Sequence, residues 1–292
     1  MLGTLLISGL CLGCIYGLIA LGYSLIYKAS GQMSFAQGDI LTCGAYIGYT
    51  FYKILGIPFA VSLLLTLIVM FLFGVGLQRG VITTVSNRTT KPIFLLFATI
   101  AISTVIRAAV PIIWDTMTKT YGILSVFGVS SIELAGINVA ISSILCIAIS
   151  VLIMVLMHLF MTKTKFGTSM RAAAMDPLAA KSCGINVSLT TAVTWGISSA
   201  IAAVGGMLIG PLYGVFAAVG SNLGGKGFGS AVLGGYGNMY GAIVGGIILG
   251  LAETLVAGYI TSMYKDMFTY AMLLLFLFVK PRGIFNEKAI NE

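Results

Sequence analysis

The chain has 292 residues, 59% of them hydrophobic and 8% charged, with a formal net charge of +8 and a mean hydropathy of +1.07. Soluble domains carry roughly 25% charged residues, so a soluble fold is excluded for want of polar surface to cover it. The positive excess is read as loop placement in a membrane protein, not as a nucleic-acid patch.

Apolar runs long enough to cross a bilayer as helices recur along the sequence. They predict an all-α polytopic membrane protein with about eight transmembrane helices, forming a single transmembrane domain over residues 1–292. The first span covers residues 2–27; it lacks a basic leader and a clear cleavage site, so it is read as retained and not as a signal peptide. Within it Gly9, Gly13 and Gly17 repeat every fourth residue, a small-residue stripe that lets another helix approach closely. A polar bend, Ser30-Gly31-Gln32-Met33-Ser34, leads to a second span from about Phe35 to Lys53. Gly56 and Pro58 turn the chain into a third span, 58–78, and Arg79, Arg88 and Lys91 mark the next loop. The fourth span runs from Pro92 to Trp114, residues 115–135 form an exposed loop with Asp115, Lys119 and Glu133, and the fifth span covers 136–161.

Residues 162–188 are the longest polar interruption, with Lys163, Lys165, Arg171 and Lys181 against one acid, Asp176. Two short helices are predicted here. Gly167 and Thr168 open the first, which ends at Asp176 because the residue before a proline disfavours helical geometry. Asp176 then caps the second, Pro177 suits its first position, and Gly184 terminates it. A compact basic helical insert between two spans reads as a docking surface. Lys28, the Arg79–Lys91 loop and this insert all fall on one side of the membrane, which the positive-inside rule assigns to the cytoplasm.

A sixth span covers 189–212, and the basic tail Lys280-Pro281-Arg282, with Lys288, also belongs on the cytoplasmic side. That demands an even number of crossings after the insert, whereas three apolar runs stand out. A short or broken helix in the Gly-rich stretch 224–237 would restore the parity and raise the count to nine or ten. Gly241, Gly245 and Gly250 extend the close-packing pattern.

Asp39, Arg107 and Glu253 are ionisable residues inside spans, each costing about 2.5–3.5 kcal/mol at a helix centre unless partnered or wet. With Gln37 they are the candidates for translocation or gating; snorkelling of Asp39 and Arg107, or pairing of Arg107 with Glu253, are the structural alternatives. Gly220–Gly227 nearly spells a phosphate-binding loop, but Gly227 replaces the hydroxyl that follows the lysine, so no nucleotide site is expected. One histidine, His158, and no second cysteine pair argue against a metal site, and the cysteines read as small apolar residues. No hydrolytic or paired-carboxylate constellation is present, so the chain is not expected to be an enzyme.

Four blocks in order carry a resemblance. Gly13-Cys14-Ile15-Tyr16-Gly17, Ser34-Phe35-Ala36-Gln37-Gly38-Asp39, the insert from Phe166 through Arg171, Ala173, Asp176, Pro177 and Ala180 to Asn186, and Gly234 through Glu253 with the tail Lys280–Phe285 resemble the LivH-type permease of branched-chain amino-acid ABC transporters. Ser34 and Gln37 depart from that family's asparagine and histidine, and the loss of the histidine makes proton coupling there less expected. The resemblance implies a bacterial inner-membrane importer subunit working with two cytoplasmic ATPases, a second permease subunit (sister or identical) and an extracytoplasmic substrate-binding protein. It implies that Gly167, Arg171, Ala173, Asp176, Pro177, Ala180 and Gly184 couple to the ATPases, which carry the ATP and magnesium, so that this chain binds no cofactor. Related permeases carry urea, short amides or other amino acids, and an ion-coupled secondary transporter using Asp39 and Glu253 is the reading from another class.

Overall fold

A computed structural model describes residues 2–31, 33–89, 91–122, 131–134 and 137–285. Gln32 and Lys288, and the side chain of Glu133, lie outside what it describes. Helix α1 (Leu2–Ser30) is followed by α2 (Gln37–Tyr49), which continues as a π-helical turn over Thr50–Ile54. Then come α3 (Phe59–Leu77), a π-helical segment Gln78–Ile82, α4 (Thr83–Arg88) and α5 (Pro92–Trp114). A hairpin of β1 (Ser131–Leu134) and β2 (Ile137–Ala140), with Ser131 opposite Ala140, precedes α6 (Ile141–Lys163). The insert forms α7 (Lys165–Met175) and α8 (Pro177–Ser182), and the bundle closes with α9 (Val187–Tyr213), α10 (Val219–Gly234), α11 (Met239–Tyr259) and α12 (Lys265–Val279).

Among the described residues, six helices are long and apolar enough to cross a membrane: Leu2–Ser30, Phe59–Arg88, Ile93–Trp114, Ile141–Lys163, Val187–Tyr213 and Met239–Tyr259. The shorter α2, α10 and α12 pack within the same bundle. The stretch 224–237 is therefore largely a helix, α10, and four helices follow the insert, giving the even parity that the basic tail demands. Two expectations are corrected. Arg79 and Arg88 stand on helical chain, since the helix begun at Phe59 continues past the membrane-length apolar run. Residues 137–140 are strand, because the fifth apolar run begins with alternating Ile137 and Val139, which suit a pleated edge.

Glycine sets the helix spacing. Along the antiparallel α1–α11 contact, Gly9 meets Leu251 and Thr254, Gly13 meets Ile247, and Gly17 meets Ile243. From the other side Gly250 abuts the backbone of Gly13, and Gly246 that of Gly17. Gly241 abuts Gly234, and Gly245 the carbonyl of Ser230, which draws α10 against α11. In hydrocarbon, where burial of apolar side chains drives little association, such backbone proximity gains dispersion contacts that larger residues would prevent.

Two helices do not start at the membrane surface. Residues 33–36 run inside the bundle, where the Phe35 N–H donates to Thr99 Oγ1 at 3.2 Å, and α2 begins at the buried Gln37. Residues 214–218 do the same from the opposite end, held by an antiparallel bridge between Lys119 and Val215. The first turns of α2 and α10 then overlap, with Gly38 against Gly220 and Gly224. Thr42 Oγ1 accepts from the Gly220 N–H at 2.9 Å, one of the donors a helix start leaves without an intrahelical partner. The tail closes the far end of α10: Ile284 N–H donates to the Leu233 carbonyl at 3.0 Å and Phe285 N–H to that of Gly234 at 3.2 Å.

Candidate functional site

Charge inside the bundle falls into two clusters, one on each flank of α10. In the first, Asp39 sits in the opening turn of α2, where the helix dipole favours a carboxylate. Arg107 of α5 reaches it through Nη2 at 3.1 Å and Nε at 3.4 Å, and Ser103 Oγ also donates to it. Asp39 is only 3% exposed and Arg107 53%, so the pair is a buried acid answered by a cation at the bundle's flank. Asp39 does not snorkel to an interface, because α2 begins at the buried Gln37 and Asp39 lies inside the bundle. A cavity of about 330 Å³ lies beside the pair, lined also by Tyr23, Phe35 and Phe228. Gln37, two residues earlier and on the other side of α2, is buried and donates through Nε2 to the Ser198 carbonyl at 3.0 Å; it belongs to the α2–α9 contact.

The second cluster centres on Glu253 of α11. Its partner is not Arg107 but Lys226 of α10, whose Nζ lies 2.6 Å from Glu253 Oε1 and 2.7 Å from Asp266 Oδ1. Tyr16 of α1 donates to Glu253 Oε2 at 2.8 Å, its ring lies 5.9 Å from the Lys226 ammonium, and Lys265 stands 3.8 Å from Glu253. Two lysines and two carboxylates sum to zero charge. They line a cavity of about 350 Å³ together with apolar Leu12, Ile209, Phe216, Val219 and Leu223 and polar Tyr213, Asn222 and Tyr270. It lies where α9 and α11 end and α12 begins, at the end of the bundle opposite the insert.

The sequence does not single out Lys226, Lys265, Asp266 or Tyr16 for this cluster, and Lys226 stands out only within the near-match to a phosphate loop. The available signal was a lone lysine among glycines with a carboxylate in the next span, since neither charge is tolerable alone in hydrocarbon.

Each joint of the insert carries a capping or turn-forming residue. Thr164 Oγ1 accepts from the Gly167 N–H at 3.0 Å and opens α7 two residues earlier than Gly167 suggested. Asp176 Oδ1 accepts from the N–H groups of Leu178 at 2.8 Å and Ala179 at 3.0 Å, capping α8 under Pro177. Gly184 ends the unit with φ of +81°, a value that strains a residue with a Cβ. Gly167 packs on the backbone of Phe160 and Met161, and Met170, Ala173 and Ala180 are buried against the bundle, whereas Arg171 is exposed. At the junction of the two helices Met175 and Leu178 stand 86% and 78% exposed. Neither was singled out from the sequence. Elsewhere His158 Nδ1 lies 2.5 Å from the Tyr240 hydroxyl, an inter-helix contact.

Comparison with known proteins agrees with this architecture. The family model described as branched-chain amino acid transport system / permease component matches residues 5–277. The chain is 32% identical over 300 residues to the high-affinity branched-chain amino acid transport system permease protein BraD of Pseudomonas aeruginosa, covering 98% of this chain and 96% of the relative. It is 30% identical to LivH of Escherichia coli K12 over 298 residues, covering 98% and 96%, and 29% identical to a probable LivH of Methanocaldococcus jannaschii over 284 residues, covering 91% and 87%. Among solved structures, PsaBC from Streptococcus pneumoniae in complex with Fab shares the fold, with a TM-score of 0.52 at 12% identity over 94% of this chain and 91% of that one. With the match to the family model nearly spanning the helical bundle, the chain belongs to the family of permease components of branched-chain amino acid transport systems.

Proposed function

We propose that this chain is the translocation subunit of an ATP-driven importer of branched-chain amino acids in the bacterial inner membrane. In this reading it works as one permease domain beside a second permease subunit, sister or identical. Two ATPases dock on residues 162–188, hydrolyse the ATP and bind its magnesium, and an extracytoplasmic protein delivers the substrate. The observation that carries the reading is the insert itself. It is a capped two-helix unit that presents two bare apolar side chains, Met175 and Leu178, to whatever lies below it. An exposed apolar pair on a basic projection fits a groove in a partner, and the buried faces of α7 and α8 pass a push on the insert to α6 and α9. The end bearing Lys28, Arg79, Arg88, Arg171 and Lys280 is then the cytoplasmic end.

An ion-coupled carrier is the weaker reading, because it leaves the capped insert with its exposed Met175 and Leu178 without a role. The test is co-purification from the native membrane followed by reconstitution with the ATPase and binding protein that accompany the chain. ATP-dependent L-leucine uptake is expected, and Leu178→Glu or Gly184→Val should abolish ATPase association while the protein still inserts and folds. Uptake that persists in these variants, or that proceeds without any ATPase, would overturn the assignment.

A further inference from the structure

We propose that the Lys226–Glu253 cavity is a binding site for the zwitterionic headgroup and aliphatic side chain of the amino acid, a proposal that rests on the transport reading above. The lining joins two cations and two anions to the apolar side chains of Leu12, Ile209, Phe216, Val219 and Leu223, with Tyr213, Asn222 and Tyr270 completing it, a mixture that suits the charged head and aliphatic side chain of an amino acid such as leucine. A volume of about 350 Å³ falls within the range of small-molecule sites. The charge balance supplies the selectivity. The cluster is neutral as it stands, so a net-neutral zwitterion exchanges partners without adding charge to a poorly solvated site. Its carboxylate meets Lys226 and Lys265, and its ammonium meets Asp266 and Glu253. An acidic or basic amino acid brings an extra charge that nothing there balances.

The rim is built for such an exchange. Lys265, at 3.8 Å from Glu253, is beyond hydrogen-bond range and can turn to a ligand at little cost, and the 59% exposed Asp266 would exchange its 2.7 Å contact with Lys226 for one with the ligand's ammonium. Glu253 is held from behind by Tyr16 and does not need to move. Neutral solutes such as urea satisfy the charge rule but leave the apolar side chains uncovered.

The test uses the full chain in lipid nanodiscs and saturation-transfer NMR, which reads millimolar binding, with L-leucine as probe. The competitors are 4-methylpentanoate, which lacks the amine, and L-leucinamide, which lacks the carboxylate. Wild type should prefer L-leucine to either by about tenfold, the size expected for losing a charged hydrogen-bond partner. Asp266→Asn leaves the cluster with net charge +1 and should shift the preference toward 4-methylpentanoate. Lys265→Gln leaves it at −1 and should shift the preference toward L-leucinamide. Both substitutions are on the half-exposed rim and leave the buried Lys226–Glu253 pair in place. A purely structural role for these residues would lower all three affinities together, and an unchanged ranking in both variants overturns the site. Leucine uptake by the assembled transporter alongside an unchanged ranking overturns the site alone. Absence of both leucine uptake and leucine binding in wild type overturns the transport reading with it.

Discussion

Gly13→Ala is the smallest change that tests how the bundle is held. A methyl group there would lie 2.8 Å from Ile247 Cα, and no rotamer change can relieve a clash with backbone. Carbon atoms rest at about 3.5–4.0 Å, so α1 and α11 must separate by about 1 Å. Overpacking of that kind costs about 1–3 kcal/mol. The same helix pair carries the bond from Tyr16 to Glu253, one turn away, at 2.8 Å. Opened by about 1 Å it passes out of hydrogen-bond range, and a bond to a carboxylate contributes about 1.5–3 kcal/mol. A combined loss near 3 kcal/mol corresponds to a fall in melting temperature of about 6–12 °C on the scale of domains somewhat smaller than this one.

The control is Gly76→Ala in α3, where an added methyl group meets nothing within 4 Å. Alanine is the better helix former by about 1 kcal/mol, so this variant should melt at or slightly above wild type. Both are read by fluorescence-detected melting of the purified protein in one detergent. If Gly13→Ala melts with Gly76→Ala, the α1–α11 contact is looser than the structure has it and the glycine argument fails.

Arg107→Leu should destabilise by about 2 kcal/mol, less than the ~3–5 of a fully buried pair because Arg107 is half exposed. The double variant Asp39→Asn/Arg107→Leu should regain most of that loss in the same melting assay, and a double variant no better than the single would show that the acid is not what the arginine serves. Tyr121→Phe removes the 2.6 Å bond to the Ala45 carbonyl and should cost about 1 kcal/mol, loosening the segment after α5. Faster proteolysis of residues 115–122 without loss of the helical core checks it.

What the sequence disclosed follows from which forces act locally. Apolar run length marked α5 from Pro92 to Trp114 without error, since a span must satisfy its own backbone and hydrocarbon demands about 20 apolar residues. The joint at Asp176-Pro177 was equally legible, because a cap and an N1 proline act over three residues. Long-range pairing was not. Lys226 and Glu253 are 27 positions apart on antiparallel helices, and glycine-rich α10 has the propensity of a loop. It is a helix because Gly220, Gly224 and Gly234 lie on other backbones and Gly227 and Gly229 take in the side chains of Ile19 and Leu273, a tertiary fact with no local signature. The depth of Asp39 is hidden for the same reason: nothing in residues 33–36 announces that α2 begins inside the bundle.

The glycine faces and the charge clusters answer one structural problem together. Gly220 and Gly224 lie on Gly38, and Gly234 lies on Gly241, so much of the contact of α10 is backbone on backbone. Such surfaces bring helices close but offer few knobs to lock one register over another. The register of α10 must then come from its polar contacts: Thr42 on the Gly220 N–H at the start, Lys226 on Glu253 in the middle, and the Ile284 and Phe285 N–H groups on its last carbonyls. The first of these adjoins the Asp39–Arg107 cluster and the second forms the other cluster. An axial shift of α10 would therefore alter both at once, and a ligand that takes Lys226 from Glu253 releases the middle one of the three restraints.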